Sequence, residues 1–279
     1  MSKRSGIQLC YPFEEKRLLD PKFGWKFPVL VQPKLDGERC RLLPHILPDI
    51  QLISSECNPI NSVPHIEYAL RSLEINVELD GELYCHGMEF AEIHSIVSRK
   101  STDTLHPDAW KIKFHIFDII NEKPQLERLA ELDNLIDPLV KVDTYACTSM
   151  QDIFDKYNDF LDEGYEGIII RHIGSNYIRR RSTFVLKFKP KKFDDYEIVG
   201  VEEAISKTNI PLEMVGRFIC RNEDGSTFAV GAGHLNHHRR AKIWRDHTVN
   251  NDVVGRWITI QYQHSERSVP RFGLAVEVH

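Results

Sequence analysis

The chain has 279 residues, of which 42% are hydrophobic and 28% are charged, and its formal net charge is −5. This length allows one large domain or a large domain with a small one, and the composition is that of a soluble globular protein with no secretory signal and no membrane-spanning stretch. The six cysteines contain no C-x-x-C pair, which argues against a zinc site or a disulfide framework and favours a reducing compartment, and the net charge argues against broad nucleic-acid binding.

A charged turn follows the first predicted strand, which covers residues 29–31. The turn contains Lys34, Asp36, Gly37 and Arg39 in the pattern K-x-D-G-x-R. A lysine becomes a nucleophile only when its amine, with a pKa of about 10.4, loses a proton, and nearby positive charge favours that loss. Asp36 can orient the amine, and Gly37 lets the backbone approach a phosphate. The pattern therefore indicates covalent catalysis on a nucleotide phosphate, and the alternative is an ordinary charged turn between two strands.

An acidic strand is predicted at residues 77–83, after a helix at 65–73. Period-two alternation places Glu78, Asp80 and Glu82 on one face of this strand. Three acids on one face repel each other unless a cation lies nearby. We interpret the face either as solvated or as a contact for a divalent metal or a ribose, since hard oxygen ligands suit magnesium.

The next strand, predicted at residues 110–118, follows a helix at 89–99. Alternate residues from Trp110 to Ile116 are expected to face the core. Phe117 falls on the opposite, polar face. It is either buried under a neighbouring loop or offers a flat surface on which a purine can stack.

Two packing helices are predicted at residues 126–135 and 149–162, the second capped by Ser149. We assign them no chemistry. A buried strand at residues 166–171 follows, and Glu166 lies at its beginning. An acid at the beginning of a buried strand is by itself only weak evidence for a functional site.

Residues 179–192 form the basic centre of the chain, with seven basic residues in fourteen and no acid. Lys187 and Lys189 lie on one face of the predicted strand, a spacing that suits a phosphate. The arginine triplet at 179–181 favours binding to a polyanion. The alternative is a solvated basic edge that prevents aggregation.

The last part of the chain, from residue 196 onward, contains about five short predicted strands and one helix, at 236–244. This pattern is typical of a small OB-type barrel. The histidines from His234 to His238 suggest a metal site, but their spacing and the lack of nearby cysteines favour a different interpretation. Because Arg239 and Arg240 lie on the same helix, we interpret it as a nucleic-acid-facing or solvated surface.

Taken in order, these segments resemble the motifs of the covalent nucleotidyltransferases, most closely the small phage and viral ATP-dependent DNA ligases. The segments are residues 34–39, 79–83, 117–118, 166–171 and 186–190, followed by 228–233 and Arg239. The resemblance covers nearly the whole chain. It implies an α+β fold in which residues 1–191 form a nucleotidyltransferase domain of antiparallel sheets with flanking helices, and residues 192–279 form an OB-fold barrel.

The resemblance implies that Lys34 attacks the α-phosphate of ATP, becomes lysyl-AMP and releases pyrophosphate, with Asp36 beside it. Gln32, where the family often has glutamate, would read the adenine edge. Phe117 would stack on the adenine.

By the same resemblance, Glu82 and Glu166 would contact the ribose and hold Mg²⁺. Lys187 and Lys189 would neutralise the α-phosphate and the leaving group. The expected cofactors are therefore ATP and Mg²⁺.

Five arginines are the expected nucleic-acid contacts: Arg39, Arg179, Arg181, Arg239 and Arg240. Of these, Arg39 and Arg181 would hold phosphates of the nucleotide or of the nicked strand. The implied partner is nicked duplex DNA. We expect a monomer that is encoded by a phage or virus and acts in the cytoplasm of the host cell.

The chain departs from the family pattern in two places. Residues 54–56 read Ser-Ser-Glu where the family usually has Ser-Arg. In the final motif, Ser268 and Val276 stand where arginines are usual, and Arg267 and Arg271 are the candidates to replace them.

The leading functional hypothesis is an ATP-dependent DNA ligase that seals 5′-phosphate/3′-hydroxyl nicks. An RNA ligase or a capping-type guanylyltransferase is the alternative, because both share the lysine motif. A third hypothesis is a catalytically inactive DNA-binding module, against which the intact set of charged residues argues.

Overall fold

The structure is a computed structural model that describes residues 6–43, 50–73, 75, 77–100, 104–233, 235–262, 264–266, 269–271 and 273–279. Contacts between Cα atoms divide the chain into a first unit, Met1–Lys189, and a second unit, Pro190–His279. Among the residues described, no helix has both the length and the apolarity that crossing a bilayer requires.

The first unit combines strands with short helices. Its strands are β1 Leu9–Pro12, β2 Val29–Pro33, β3 Glu38–Leu43, β4 Gln51–Ser54, β5 Leu79–Tyr84, β6 Lys113–Ile119, β7 Leu139–Lys141, β8 Tyr145–Cys147, β9 Ile168–His172 and β10 Arg181–Phe188. Its helices are α1 Glu15–Leu19, α2 Pro64–Ser72, α3 Phe90–Val97, α4 Gln125–Ala130 and α5 Met150–Asp162, with 3₁₀ turns at Pro21–Phe23 and Ala109–Lys111.

Two five-stranded sheets organise this unit. The first has the order β1-β10-β9-β2-β8, and the second has the order β4-β3-β5-β6-β7. Most neighbouring strands are antiparallel, while β1 with β10 and β6 with β7 are parallel. One apolar cluster packs α2 and α3 against the second sheet, and another contains buried residues of β2, β9, β10 and α5. The predicted α+β class with antiparallel sheets and flanking helices is confirmed.

Helices α2 and α5 begin where their sequences supply a start signal. Pro64 occupies the first turn of α2, where a missing N–H costs no hydrogen bond. The predicted cap of α5 is confirmed, because Ser149 Oγ accepts a hydrogen bond from the Asp152 backbone N–H at 3.1 Å. The predicted helix from residue 126 is shorter than expected and ends at Ala130.

Two of the predicted strands differ from the structure. The expectation for Trp110 was wrong: it lies in a 3₁₀ turn and is 61% exposed, because the strand begins only at Lys113. In the basic strand β10, adjacent Val185 and Leu186 are both buried. Both faces of β10 are therefore covered at these two residues. Both edges of the strand are also paired, since β10 lies between β1 and β9.

The second unit is built from β11 Lys192–Ile205, β12 Pro211–Arg221, β13 Thr227–Gly231, α6 His237–Asn250, β14 Trp257–Tyr262, β15 His264–Glu266, β16 Val269–Arg271 and β17 Leu274–Val278. Strands β11, β12, β13, β17 and β14 close into a barrel, while β15 and β16 form a separate pair. Apolar residues that alternate along these strands fill the interior. The OB-type prediction is confirmed, and helix α6 is longer than predicted.

We predict that Ser149→Ala lowers the free energy of unfolding by about 1 kcal/mol, because α5 loses the acceptor for its orphan N–H. Urea unfolding followed by circular dichroism measures the change. Ser95→Ala, in the exposed middle of α3, is the matched control. Its effect should be near zero, and equal losses in both variants would contradict the capping role.

Candidate active site

Lys34 lies directly after β2, in a loop that is held by backbone hydrogen bonds. Its N–H donates to the carbonyl of Gly167 at 2.8 Å, and its own carbonyl accepts from the Glu166 N–H at 3.2 Å. Gly167 has φ +140°, and a Cβ there would lie 2.3 Å from the Phe188 carbonyl oxygen. Pairing of β2 with β9 therefore brings the predicted nucleophile and the predicted acid together, although they are far apart in sequence.

The glycine of the lysine motif serves packing rather than a turn. A Cβ at Gly37 would lie 2.4 Å from the carbonyl oxygen of Leu83, at the end of β5. A residue without a side chain is required at this position, because the loop passes directly over that strand. This close approach brings the Lys34 loop to Glu82, whose Cγ is 3.0 Å from the same position.

Glu166 binds two lysines at once. Lys34 Nζ forms an ion pair with Glu166 Oε2, and Lys189 Nζ donates to Glu166 Oε1 at 2.6 Å. Burial raises the pKa of Glu166, but the two ammonium groups outweigh burial and hold that pKa below its usual value. The carboxylate is thus ionised and shared.

The charges around Lys34 keep its amine protonated. Burial alone lowers the pKa of Lys34, but nearby carboxylates, Glu166 first among them, outweigh burial and raise the pKa. The expectation that surrounding positive charge leaves this lysine neutral does not hold for this arrangement. Burial lowers the pKa of Lys187 and of Lys189, and the positive charge of Lys34 lowers both further.

Glu82 is the acid of β5 that remains suited to a metal. Burial raises the pKa of Glu82 to about 8, and the positive charges of Arg39 and Lys34 oppose this only in part. A divalent cation would replace the proton on such a group. Together with Glu166 it offers the hard oxygen donors that Mg²⁺ prefers. No cluster of three or more metal-binding side chains occurs in the described part of the chain, so water and phosphate oxygens would complete the ion's shell.

The other two acids of the predicted face bind arginines. Asp80 is buried and accepts hydrogen bonds from Arg39, at 2.7 and 2.5 Å, and from the Tyr177 hydroxyl at 2.5 Å. Glu78 accepts from Arg179 at 2.9 Å and pairs with Arg41 at 3.2 Å. The interpretation as a metal or ribose contact is therefore wrong for these two acids. Arginines, rather than a metal, supply the positive charge that offsets the repulsion between the carboxylates.

Phe117 is half-buried, with a guanidinium carbon of Arg39 4.6 Å and one of Arg171 5.1 Å from its ring centroid. Beside it, Gln32 is 1% exposed. Gln32 Nε2 donates to Thr144 Oγ1 at 2.9 Å and to the Phe117 carbonyl at 3.4 Å, and its Oε1 accepts from Arg171 Nε at 2.6 Å. The two residues predicted to bind adenine are therefore adjacent.

A buried polar network under Phe117 was missed by the sequence analysis. Asp118 accepts from Arg128 Nε at 2.7 Å and from Arg171 Nη1 at 3.1 Å, and Gln125 Oε1 accepts from Arg128 Nη2 at 2.7 Å. Arg128 and Gln125 are fully buried on α4, whereas Leu126 between them is 52% exposed. The available signal was a glutamine and an arginine three residues apart, a spacing that places both on one helix face.

The remaining predicted nucleic-acid contacts lie on both units. Arg181 Nη1 donates to the Cys10 carbonyl at 2.5 Å, and its guanidinium carbon lies 5.6 Å from the centroid of the Tyr11 ring. In the second unit, Arg240 Nε donates to the Val215 carbonyl at 2.7 Å, which holds that side chain against the barrel. Arg239 pairs with Glu277 at 3.4 Å.

A cavity of about 420 Å³ lies beside α6 and is lined by Asn236, His238, Arg239, Lys242, Ile243, Asp246, Arg256 and Val278. Its lining is mixed in charge. His234, Ser268 and the candidate replacement Arg267 lie outside the described residues, and only the backbone of the other candidate, Arg271, is described. Whether these side chains serve the final motif stays a prediction.

Comparisons with known proteins agree with this geometry. A family model described as an ATP dependent DNA ligase domain matches residues 23–189, and one described as a DNA ligase OB-like domain matches residues 212–278. A DNA ligase of Haemophilus influenzae is 27% identical over 203 residues, covering 70% of this chain and 69% of that protein. A DNA ligase of African swine fever virus is 23% identical over 254 residues, covering 84% of this chain and 58% of that protein.

The fold is also similar to that of a solved Lig E DNA ligase. The two have a TM-score of 0.78 at 22% identity, and the match covers 98% of this chain and 99% of that one. At this identity the likeness concerns the fold. It extends over both units of the chain.

We predict that Glu82→Gln raises the melting temperature more at pH 8.5 than at pH 5 in the absence of divalent metal. Burial raises the pKa of Glu82 to about 8 in the folded protein, against an ordinary value of 4.5. As the pH rises between these values, the unfolded chain ionises Glu82 while the folded chain cannot, so the wild type loses stability. The neutral amide removes that loss, and each kcal/mol corresponds to about 2–4 °C.

Thermal unfolding at the two pH values measures this effect. Glu56→Gln, in an exposed turn, is the control and should change both melting temperatures equally. An increase in melting temperature from Glu82→Gln that is the same at both pH values would refute the raised pKa of Glu82.

Proposed function

Because the chain belongs to the ATP-dependent DNA ligase family, we propose that it seals 5′-phosphate/3′-hydroxyl nicks in duplex DNA through a lysyl-AMP and a DNA-adenylate. ATP is the nucleotide that the family uses, and DNA is its substrate. The observation that carries the proposal is the cluster in which Lys34 and Lys189 share Glu166. Among the alternatives, the RNA ligase and the capping enzyme receive no support from the matched family models.

In this proposal Lys34 is the nucleophile, and its proton is controlled by Glu166. The carboxylate raises the pKa of Lys34. When a phosphate competes with Glu166 for Lys189, and Glu166 moves away from Lys34, the amine loses its main stabilising charge. Lys34 would then give its proton to solvent water and attack the α-phosphorus, so that the N–P bond forms as the bond to the leaving pyrophosphate breaks.

Lys187 and Lys189 would neutralise the negative charge that develops on the phosphates. Both pKa values are lowered by burial, so each charge is poorly solvated and gains from meeting an anion. An in-line displacement at phosphorus requires alignment and distributed positive charge more than a strong base. Lys187 and Lys189, at the end of β10, would supply that charge.

We propose that Glu82 and Glu166 hold Mg²⁺, which when bound would neutralise phosphate charge and polarise the phosphoryl oxygens. Gln32 and Phe117 would bind the adenine. Asp36 lies in the same loop as Lys34 and contributes to the raised pKa of that amine. We retain it as a residue that helps to set the amine's charge.

The DNA steps would use the arginines outside this cluster. Lysyl-AMP would transfer its AMP to the 5′-phosphate of the nick, and the 3′-hydroxyl would then displace the AMP. We retain Arg39, Arg179, Arg181, Arg239 and Arg240 as candidate DNA contacts. Arg39 and Arg179 already bind Asp80 and Glu78 respectively, so we propose that they act mainly by positioning the surface that meets the DNA.

We further propose that the protein works as a monomer. DNA ligases of African swine fever virus and of phage T4 are among its relatives. On that basis we propose an origin in a virus or phage and a site of action in the cytoplasm of the infected cell.

We predict that Lys34→Ala abolishes covalent labelling by radioactive ATP and Mg²⁺, because the variant keeps the backbone pairing with Gly167 but loses the amine that is assigned as the nucleophile. Denaturing gel electrophoresis measures the labelled protein. Lys22→Ala, which removes an exposed lysine paired with Asp20, is the control and should label normally. Equal labelling of Lys34→Ala and wild type would refute the assignment.

Nick sealing on matched DNA and RNA duplexes then tests the substrate. We expect product with nicked DNA in the wild type and in Lys22→Ala, and none in Lys34→Ala. Efficient sealing of RNA without sealing of DNA would overturn the proposed substrate.

A further inference from the structure

The amide of Gln32 is held in one orientation by its neighbours. The Thr144 hydroxyl donates its proton to the Val142 carbonyl at 3.1 Å, so it can only accept from Gln32, at 2.9 Å. The Phe117 carbonyl, at 3.4 Å, is a second acceptor on the same side. On the other side stands Arg171 Nε, which can only donate, at 2.6 Å. The NH₂ group must therefore face Thr144, and the carbonyl oxygen must face Arg171.

Arg171 is fixed by the buried network described above. Its Nη1 donates to Asp118 at 3.1 Å, and Arg128 holds Asp118 from the other side. This arrangement places two guanidinium groups around one carboxylate, so a net positive charge remains buried beside the Gln32 oxygen. The charge disfavours a flipped amide, which would turn an NH₂ group toward a cation.

This orientation makes Gln32 an acceptor toward anything else that reaches it. Both N–H bonds of its amide are directed at protein acceptors, while the carbonyl oxygen keeps a second lone pair. Since only 1% of Gln32 is exposed, a group must lie directly against it, next to Phe117, to use that lone pair. Such a group must be a hydrogen-bond donor.

We propose that Thr144 and Arg171 are positioning residues that make Gln32 select a purine with a 6-amino group over one with a 6-oxo group. A 6-amino group donates to the fixed oxygen, whereas a 6-oxo group would face it lone pair to lone pair. The inference rests on the proposed function, in which the base lies beside Phe117 and Gln32. It explains how a chain with glutamine at this position can discriminate ATP from GTP.

Thr144→Val tests the inference in the full-length chain, because it removes the main acceptor that holds the NH₂ group and keeps nearly the same shape. Formation of nucleotidyl-Lys34 is measured with labelled ATP and with labelled GTP. We expect the ratio of kcat/KM for ATP to that for GTP to fall roughly tenfold, the value of one hydrogen bond. The loss should appear mainly in the KM for ATP, since the Lys34 cluster is untouched.

Three further variants distinguish positioning from general damage. Thr144→Ser keeps the hydroxyl and should keep the wild-type ratio. Gln32→Met removes the acceptor and should lose the preference for ATP. Thr148→Val makes the same substitution where the hydroxyl donates to Asp152 at 2.8 Å, and it should leave the ratio unchanged.

The outcomes separate this inference from the proposed function. If the wild type forms lysyl-AMP and Thr144→Val keeps its full preference for ATP, the positioning role is wrong while the ligase assignment stands. If the wild type forms no lysyl-nucleotide, the assignment of Lys34 fails, and the inference fails with it. Thermal unfolding of each variant identifies one that does not fold, in which case Gln32→Met and Thr144→Ser decide the question.

Discussion

One carboxylate shared between two ammonium groups holds the active site together. Glu166 accepts from Lys34 and from Lys189, and it joins the loop after β2, the start of β9 and the end of β10. Two cations compete for a single anion, so any third charged group that enters changes the balance for all three. The same ion pair therefore holds these three segments together and, in the proposed function, would respond to the charge of a bound nucleotide.

A second charge cluster lies beside Phe117 and Gln32. Unlike the first cluster, it is almost completely buried. Asp118, Arg128 and Arg171 are buried and joined by several hydrogen bonds. Breaking such a network leaves an uncompensated buried charge, at a typical cost of 3–5 kcal/mol. In the proposed function, the exchangeable ion pair would lie at the phosphate end of the site and the permanent one at the base end. That division would suit a reaction in which the phosphates change partners while the base stays fixed.

The sequence predicts the elements whose signals are local. The lysine turn, the cap at Ser149 and the alternating barrel strands were all found, because turn residues, caps and period-two patterns act within a few positions. Arg128 and Arg171 escaped prediction because their common partner, Asp118, lies 10 and 53 residues away along the chain. Periodicity identifies the buried face of a segment but not the charge that will meet it. For the same reason, the acids at residues 78–82 were interpreted as a solvated face or a metal or ribose contact, whereas Glu78 and Asp80 meet arginines from β3 and from the segment before β10.

The backbone pairing of the Lys34 loop also limits how the sequence can vary in length. Lys34 and the segment at Glu166 exchange hydrogen bonds through their main chains, and side chains alternate in direction along a strand. Inserting or deleting one residue next to either would turn a reactive side chain to the opposite side of the sheet. Natural length variation among homologues should therefore collect in surface connections, such as the exposed turn between β12 and β13. The ends of β2 and β9 should keep a constant spacing even where their residues change.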